Sequence, residues 1–163
     1  MTPLVRRFLK SAIAFLAAGL LVGVWLSAWR HFGFLEDHYP SVSAHTHLLL
    51  VGFVMMMIMG VALWMFPRPA ADDSSYRPER MVLVYWLLAT AVPVRAAAEI
   101  FSSWTSAQLP HVVAFAASLV EVLAILLFFV NLWPRIRSPR EQWEKSRGAT
   151  SATPPAESAS RER

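Results

Sequence analysis

No cysteine occurs anywhere in this chain. That absence excludes disulfides, thiolate metal sites, iron–sulfur clusters and covalent attachment of a c-type heme. Charge is scarce as well. Only 16% of the 163 residues are Asp, Glu, Lys or Arg, against about 25% in an ordinary soluble domain. Basic residues are missing from particular places. The stretch between Phe101 and His111 has no Lys or Arg, and the stretch between Trp29 and Ala44 has only Arg30. No internal repeat is present.

What fills the space is apolar: 56% of the residues are hydrophobic. Four runs, Phe8 to Trp29, Ala44 to Phe66, Met81 to Phe101 and His111 to Trp133, each exceed the ~18 residues that mark a membrane span. The expected fold is all-α, a four-transmembrane-helix up-down bundle within residues 1–137. Residues 138–163 are rich in Ser, Pro, Ala, Arg and Glu and cannot bury a core, so they read as a disordered cytoplasmic tail. Residues 1–28 resemble a signal peptide, with Leu26-Ser27-Ala28 at its end. Their apolar run is longer than an h-region, which favours an uncleaved first span.

The formal net charge is +4, and its placement matters more than its size. Arg6, Arg7 and Lys10 precede span one. Arg68, Arg77 and Arg80 lie between spans two and three. Arg135, Arg137, Arg140, Lys145, Arg147, Arg161 and Arg163 follow span four. This positive-inside pattern predicts cytoplasmic N and C termini. The basic charge is then an orientation signal and a contact for anionic lipid, with no nucleic-acid partner.

With that topology the histidines collect on one side of the bilayer. His45 and His47 open span two as Ala44-His45-Thr46-His47, and His111 opens span four at matching depth. Imidazole is the usual protein ligand of heme iron and copper. Two facing imidazoles from diagonal spans would supply both axial ligands of a heme b. His45 and His47 point about 200° apart on a regular helix, so one of them faces His111. Gly52 and Gly60 lie with Met56 on the His45 face and would leave room for a flat macrocycle, which favours His45. The His47 face carries Val51, Val54, Ile58 and Val61, and the choice stays open. His31 and His38 read as solvated loop residues.

Charged residues inside spans are functional suspects by default. Arg95 and Glu99 have the i,i+4 spacing of a helical ion pair. Arg95 has two other candidate partners, Glu121 across the bundle or a heme propionate. Glu121, near mid-membrane, is a candidate relay for protons or a substrate cation. Met55, Met56, Met57 and Met59 form a thioether-rich stretch that could bind Cu(I), but deep helical positions favour packing. Gly19 and Gly23 read as close helix packing, Ser43 as a cap of span two, Pro67 as its end, and Pro93 as a kink.

Span two carries a family likeness. His45-Thr46-His47-Leu48, then Gly52-Phe53, then Gly60, then Trp64-Met65-Phe66-Pro67-Arg68 resembles the second helix of heme-copper oxidase catalytic subunits. It looks similar to small four-helix proteins named after the cbb3-type cytochrome c oxidase subunit I, and more distantly resembles the nitric oxide reductase large subunit. The resemblance implies that His45 or His47 is an axial ligand of a low-spin heme, in a multi-pass protein of a bacterial inner (cytoplasmic) membrane. A complete oxidase needs further histidines for a high-spin heme and copper. This chain has none beyond His111.

The expected function is therefore that of a heme b-binding membrane protein, held by His45 or His47 with His111 and aided by Arg95. It would carry electrons, or act as an accessory or sensor subunit of a respiratory chain, with other subunits or a second copy as partners. Copper or other metal handling at the outer face, by His31, His38, His45, His47 and His111 with Glu36 or Asp37, is the alternative. A cofactor-free structural or assembly subunit is the third reading.

Overall fold

The computed structural model describes residues 2–32, 39–66 and 77–136. The described residues are almost entirely helical. Helix α1 is Pro3–His31. Span two is continuous but built of three parts: α2 (Tyr39–His47), a π-helical stretch (Leu48–Met55) and α3 (Met56–Met65). Helix α4 is Pro78–Ser102, and α5 is Gln108–Leu132 with a final 3₁₀ turn at Trp133–Arg135. The four spans have 24 or more residues each, so at about 1.5 Å rise per residue each can cross a hydrocarbon core of ~30 Å.

Local chemistry sets the ends. Thr2 caps α1 by accepting the Val5 amide, and Pro3 occupies the first turn, where no intrahelical N–H is required. Phe66 leaves α3 in an extended conformation, φ −73° and ψ 135°, as a residue before proline should. Pro93 lies inside α4, and the helix continues through it to Ser102. Ser43 is not a cap: the helix begins four residues earlier, at Tyr39, which places the serine on an interior turn.

Successive helices run antiparallel. Along α1 and span two, Gly23 meets His45, Gly19 meets Leu48 and Leu49, Gly52 meets Phe15, and Gly60 meets Phe8 and Leu9. A Cβ on Gly52 would come within 2.9 Å of Phe15. The glycines thus serve close helix approach, as expected for Gly19 and Gly23. Span two packs next on α4, and α5 packs almost wholly on α4. Helix α4 is accordingly the most enclosed of the four.

The core has two parts. Phe8, Ala12, Met56, Met59, Met81, Val84, Tyr85, Leu88, Ala124, Phe128 and Leu132 fill the end that holds Pro3, Met65, Pro78 and Leu132. Ala44, Leu48, Val92 and Ala96 pack in the other half, which is called the histidine end below. Met56 and Met59 are fully buried among these apolar side chains, which accords with packing. Leu20, Leu21, Val24, Phe115, Leu119, Leu126 and Val130 are exposed, as lipid-facing residues of a membrane protein would be. The four apolar helices make this a multi-pass membrane protein.

Candidate intramembrane polar site

Arg95 and Glu99 lie one turn apart on α4, so their side chains project over the same neighbours. The Arg95 Nε donates to Glu99 Oε1 at 3.0 Å, and its Nη1 donates to Glu121 Oε2 on α5 at 3.0 Å. The two pairings that the sequence offered as alternatives are made together, because a guanidinium presents several N–H groups in a fixed fork. The propionate contact expected of Arg95 would have to use the remaining N–H groups of the same guanidinium. Ser43 of α2 donates its hydroxyl to Glu99 Oε1 at 3.0 Å. It also receives His47, whose Nδ1 lies 2.9 Å from the Ser43 carbonyl oxygen and 3.3 Å from its Oγ. One network therefore joins α2, α4 and α5.

The network is deep and unbalanced. Glu99 is 8% exposed and Glu121 only 2%. Two carboxylates share one guanidinium. Glu99 Oε2 and Glu121 Oε1 are both buried without a hydrogen-bond partner. The charged or titratable groups whose fields reach Glu121 are Arg95, Glu99 and His47. With His47 neutral, the cluster carries one negative charge in excess. Burying an uncompensated charge is costly in any protein interior and more so inside a bilayer. The sequence offered Glu99 and Glu121 as alternative partners of Arg95 but not as one shared site. It gave Ser43 the wrong role, although Ser43 and His47 at i,i+4 spacing were a usable sign of one shared face.

The three expected ligand histidines do not converge. His45 turns toward α1, where its Nδ1 lies 2.8 Å from the Gly19 carbonyl oxygen. Its ring packs on Gly23, whose hypothetical Cβ would sit 2.6 Å from the ring carbon Cε1. His47 turns toward the Glu99–Glu121 network. His111 is exposed, one residue and so about 100° around the helix from the buried Pro110. His31, at the end of α1, is exposed and places its Nδ1 2.8 Å from the Ser27 carbonyl oxygen. His38, Glu36 and Asp37 lie outside the described residues, as do residues 138–163.

A heme b held by two histidines of one chain does not fit this arrangement. The room expected at Gly52 and Gly60 is filled by Phe15, Val92, Phe8 and Leu9. His111 is exposed, and α5 is separated from span two by α4 along most of its length. Among the described residues no group of three or more His, Asp or Glu is placed to hold a metal ion. Comparison with family models, with curated proteins and with solved structures finds no match. The likeness to oxidase subunit I therefore rests on the residues of span two alone.

Proposed function

We propose that this multi-pass membrane protein binds and releases a proton at the buried Glu99–Glu121 pair. The observation that supports this reading is the single guanidinium shared by two buried carboxylates, each with one oxygen left unpartnered. One proton removes the excess charge without adding a bulky ligand. A divalent ion would need a larger donor set than the described residues offer. Arg95 holds the two acids in register, and half-buried Ser43 ties Glu99 to α2 at the histidine end, with His47 bonded to it from one turn further in. The distribution of Lys and Arg supports cytoplasmic termini and a histidine end on the outer side. Such a site suits an accessory or sensor subunit whose partners move protons or electrons.

Infrared difference spectroscopy of the purified full chain tests this. At neutral pH exposed carboxyl groups are ionised, their ordinary values lying near 4. The expected result is a protonated-carboxyl signal at neutral pH that shifts in deuterated water and is lost in the Glu99→Gln, Glu121→Gln double variant. A folded chain with no such signal would sink the reading.

A second reading keeps heme b or copper at the histidine end. One observation favours it: His45 and His47 both anchor Nδ1 on a backbone carbonyl, the arrangement that orients a metal-ligating imidazole and leaves Nε2 for the metal. The remaining ligand would come from a second copy or another subunit. A pyridine hemochrome assay and metal analysis of the same sample decide it. Near-stoichiometric heme or copper that disappears in His45→Ala or His47→Ala supports this reading, and a folded chain free of both removes it.

A further inference from the structure

We infer that the Glu99–Glu121 site exchanges its proton with the histidine end only, so that the chain loads a proton from one face and conducts none to the other. The inference rests on the proton-binding reading above.

Toward the histidine end Glu99 has polar neighbours: its Oε1 accepts from Ser43 at 3.0 Å, and Ser43 Oγ lies 3.3 Å from His47 Nδ1. Arg95 joins Glu121 and Glu99 at 3.0 Å each, and its guanidinium keeps its protons, so it holds the two carboxyl groups side by side and relays nothing between them. Ser102 and Ser103, at the end of α4, both donate to the Glu99 carbonyl oxygen. Exposure rises along this series: Glu121 and Glu99 are buried, whereas Ser43, His47, Ser102 and Ser103 are half-buried.

Away from the histidine end the contacts stop. The layer below the site is Leu88 and Ala124 with Met56, all fully buried. Among the described residues the next side-chain hydrogen bond between helices on that side joins Ser11 and Tyr85. Tyr85 is ten residues before Arg95 on the same helix, a rise of about 15 Å. Thr90 lies between them but is exposed and spends its hydroxyl on the carbonyl oxygens of Trp86 and Leu87 in its own helix. A water chain needs polar partners at each step, and an apolar closely packed layer stays dry. Among the described residues nothing bridges this gap.

The titratable and charged groups facing Glu121 are Arg95 and Glu99 from α4 and His47 from α2. All three lie on the histidine side of the Leu88–Ala124 layer, so among the described residues the charged partners of Glu121 are on the side from which the site is loaded.

The test is the full chain reconstituted in phosphatidylcholine vesicles that enclose a pH-sensitive dye, with an imposed potassium diffusion potential. The expected result is proton flux no greater than in protein-free vesicles, from a sample that still shows the infrared carboxyl signal. Flux above that background which falls in Glu121→Gln overturns the one-sided assignment. Loss of the carboxyl signal itself would instead defeat the proton-binding reading, so the two failures are separable. A gain-of-function variant closes the test. Leu88→Asn with Ala124→Ser puts polar groups into the dry layer, and flux should rise severalfold only while Glu121 is present. A folded double variant with unchanged flux overturns the assignment of Leu88 and Ala124 as the barrier.

Discussion

The two ends of this bundle bury polar side chains for opposite purposes. At the far end, Asn131 accepts from the Arg77 amide and donates to the Arg77 carbonyl oxygen. Arg135 is buried and donates to the carbonyl oxygens of Leu63 and Phe66, closing the C-terminus of α3. Basic groups are favoured there because the last carbonyls of a helix carry partial negative charge. Every one of these contacts satisfies backbone. At the histidine end, Arg95, Glu99, Glu121 and Ser43 mainly bond to one another, and two carboxylate oxygens remain unpartnered. The far end spends polarity on closing helices, and the histidine end keeps an electrostatic surplus. That surplus marks a site rather than a clamp.

Substitutions can break this contrast, and their expected sizes differ. Arg95→Met should be the most damaging, costing about 3–5 kcal/mol, because it strands two buried carboxylates without a counter-charge. Thermal or denaturant unfolding in detergent measures it. A smaller loss than that of Arg135→Ala would show that the cluster is not charge-limited. Arg135→Ala should cost about 1–3 kcal/mol by leaving the Leu63 and Phe66 carbonyls unsatisfied, with the loss appearing as early fraying of α3 in hydrogen exchange. Gly23→Ala and Gly52→Ala belong to the same range, about 1–3 kcal/mol. Their new methyl groups would meet His45 and Phe15 at 2.6 Å and 2.9 Å. If both alanine variants unfold like the parent chain, α1 is not docked as described.

Two changes sharpen the comparison by doing little. Glu121→Gln keeps an oxygen for Arg95 while removing the excess charge, so its cost should stay below about 1 kcal/mol. A loss as large as that of Arg95→Met would mean that the pair is balanced and the site carries no surplus. His111→Ala should change stability by less than about 0.5 kcal/mol, since the residue is exposed. It should also leave the carboxyl signal intact.

Much of the architecture was legible in the residues. Hydropathy and length set the four spans within a few positions, because lipid permits few structures other than closed helices. Pro67 marked the end of span two through its effect on Phe66. The i,i+4 spacing of Arg95 and Glu99 announced their pair. What stayed illegible had geometric causes. Matching depth put His111 level with His45 and His47 but left its direction open, and on α5 the residue is exposed. Gly52 and Gly60 do share a face with His45, as periodicity required, but α1 fills that face. The π-helical stretch from Leu48 to Met55 contains no residue that announces it, and such stretches often adjoin functional positions. Cross-helix contacts such as Ser43 to Glu99, 56 residues apart, depend on the packing of whole helices and cannot be read from local spacing.

Ser43 has one hydroxyl hydrogen and two claimants, Glu99 Oε1 at 3.0 Å and His47 Nδ1 at 3.3 Å. The Ser43 carbonyl oxygen, 2.9 Å from the same ring nitrogen, can only accept, so the imidazole carries its hydrogen on Nδ1 and the serine hydroxyl is left for Glu99. A single residue thus fixes the tautomer of a ring with its backbone and steadies a carboxylate on another helix with its side chain.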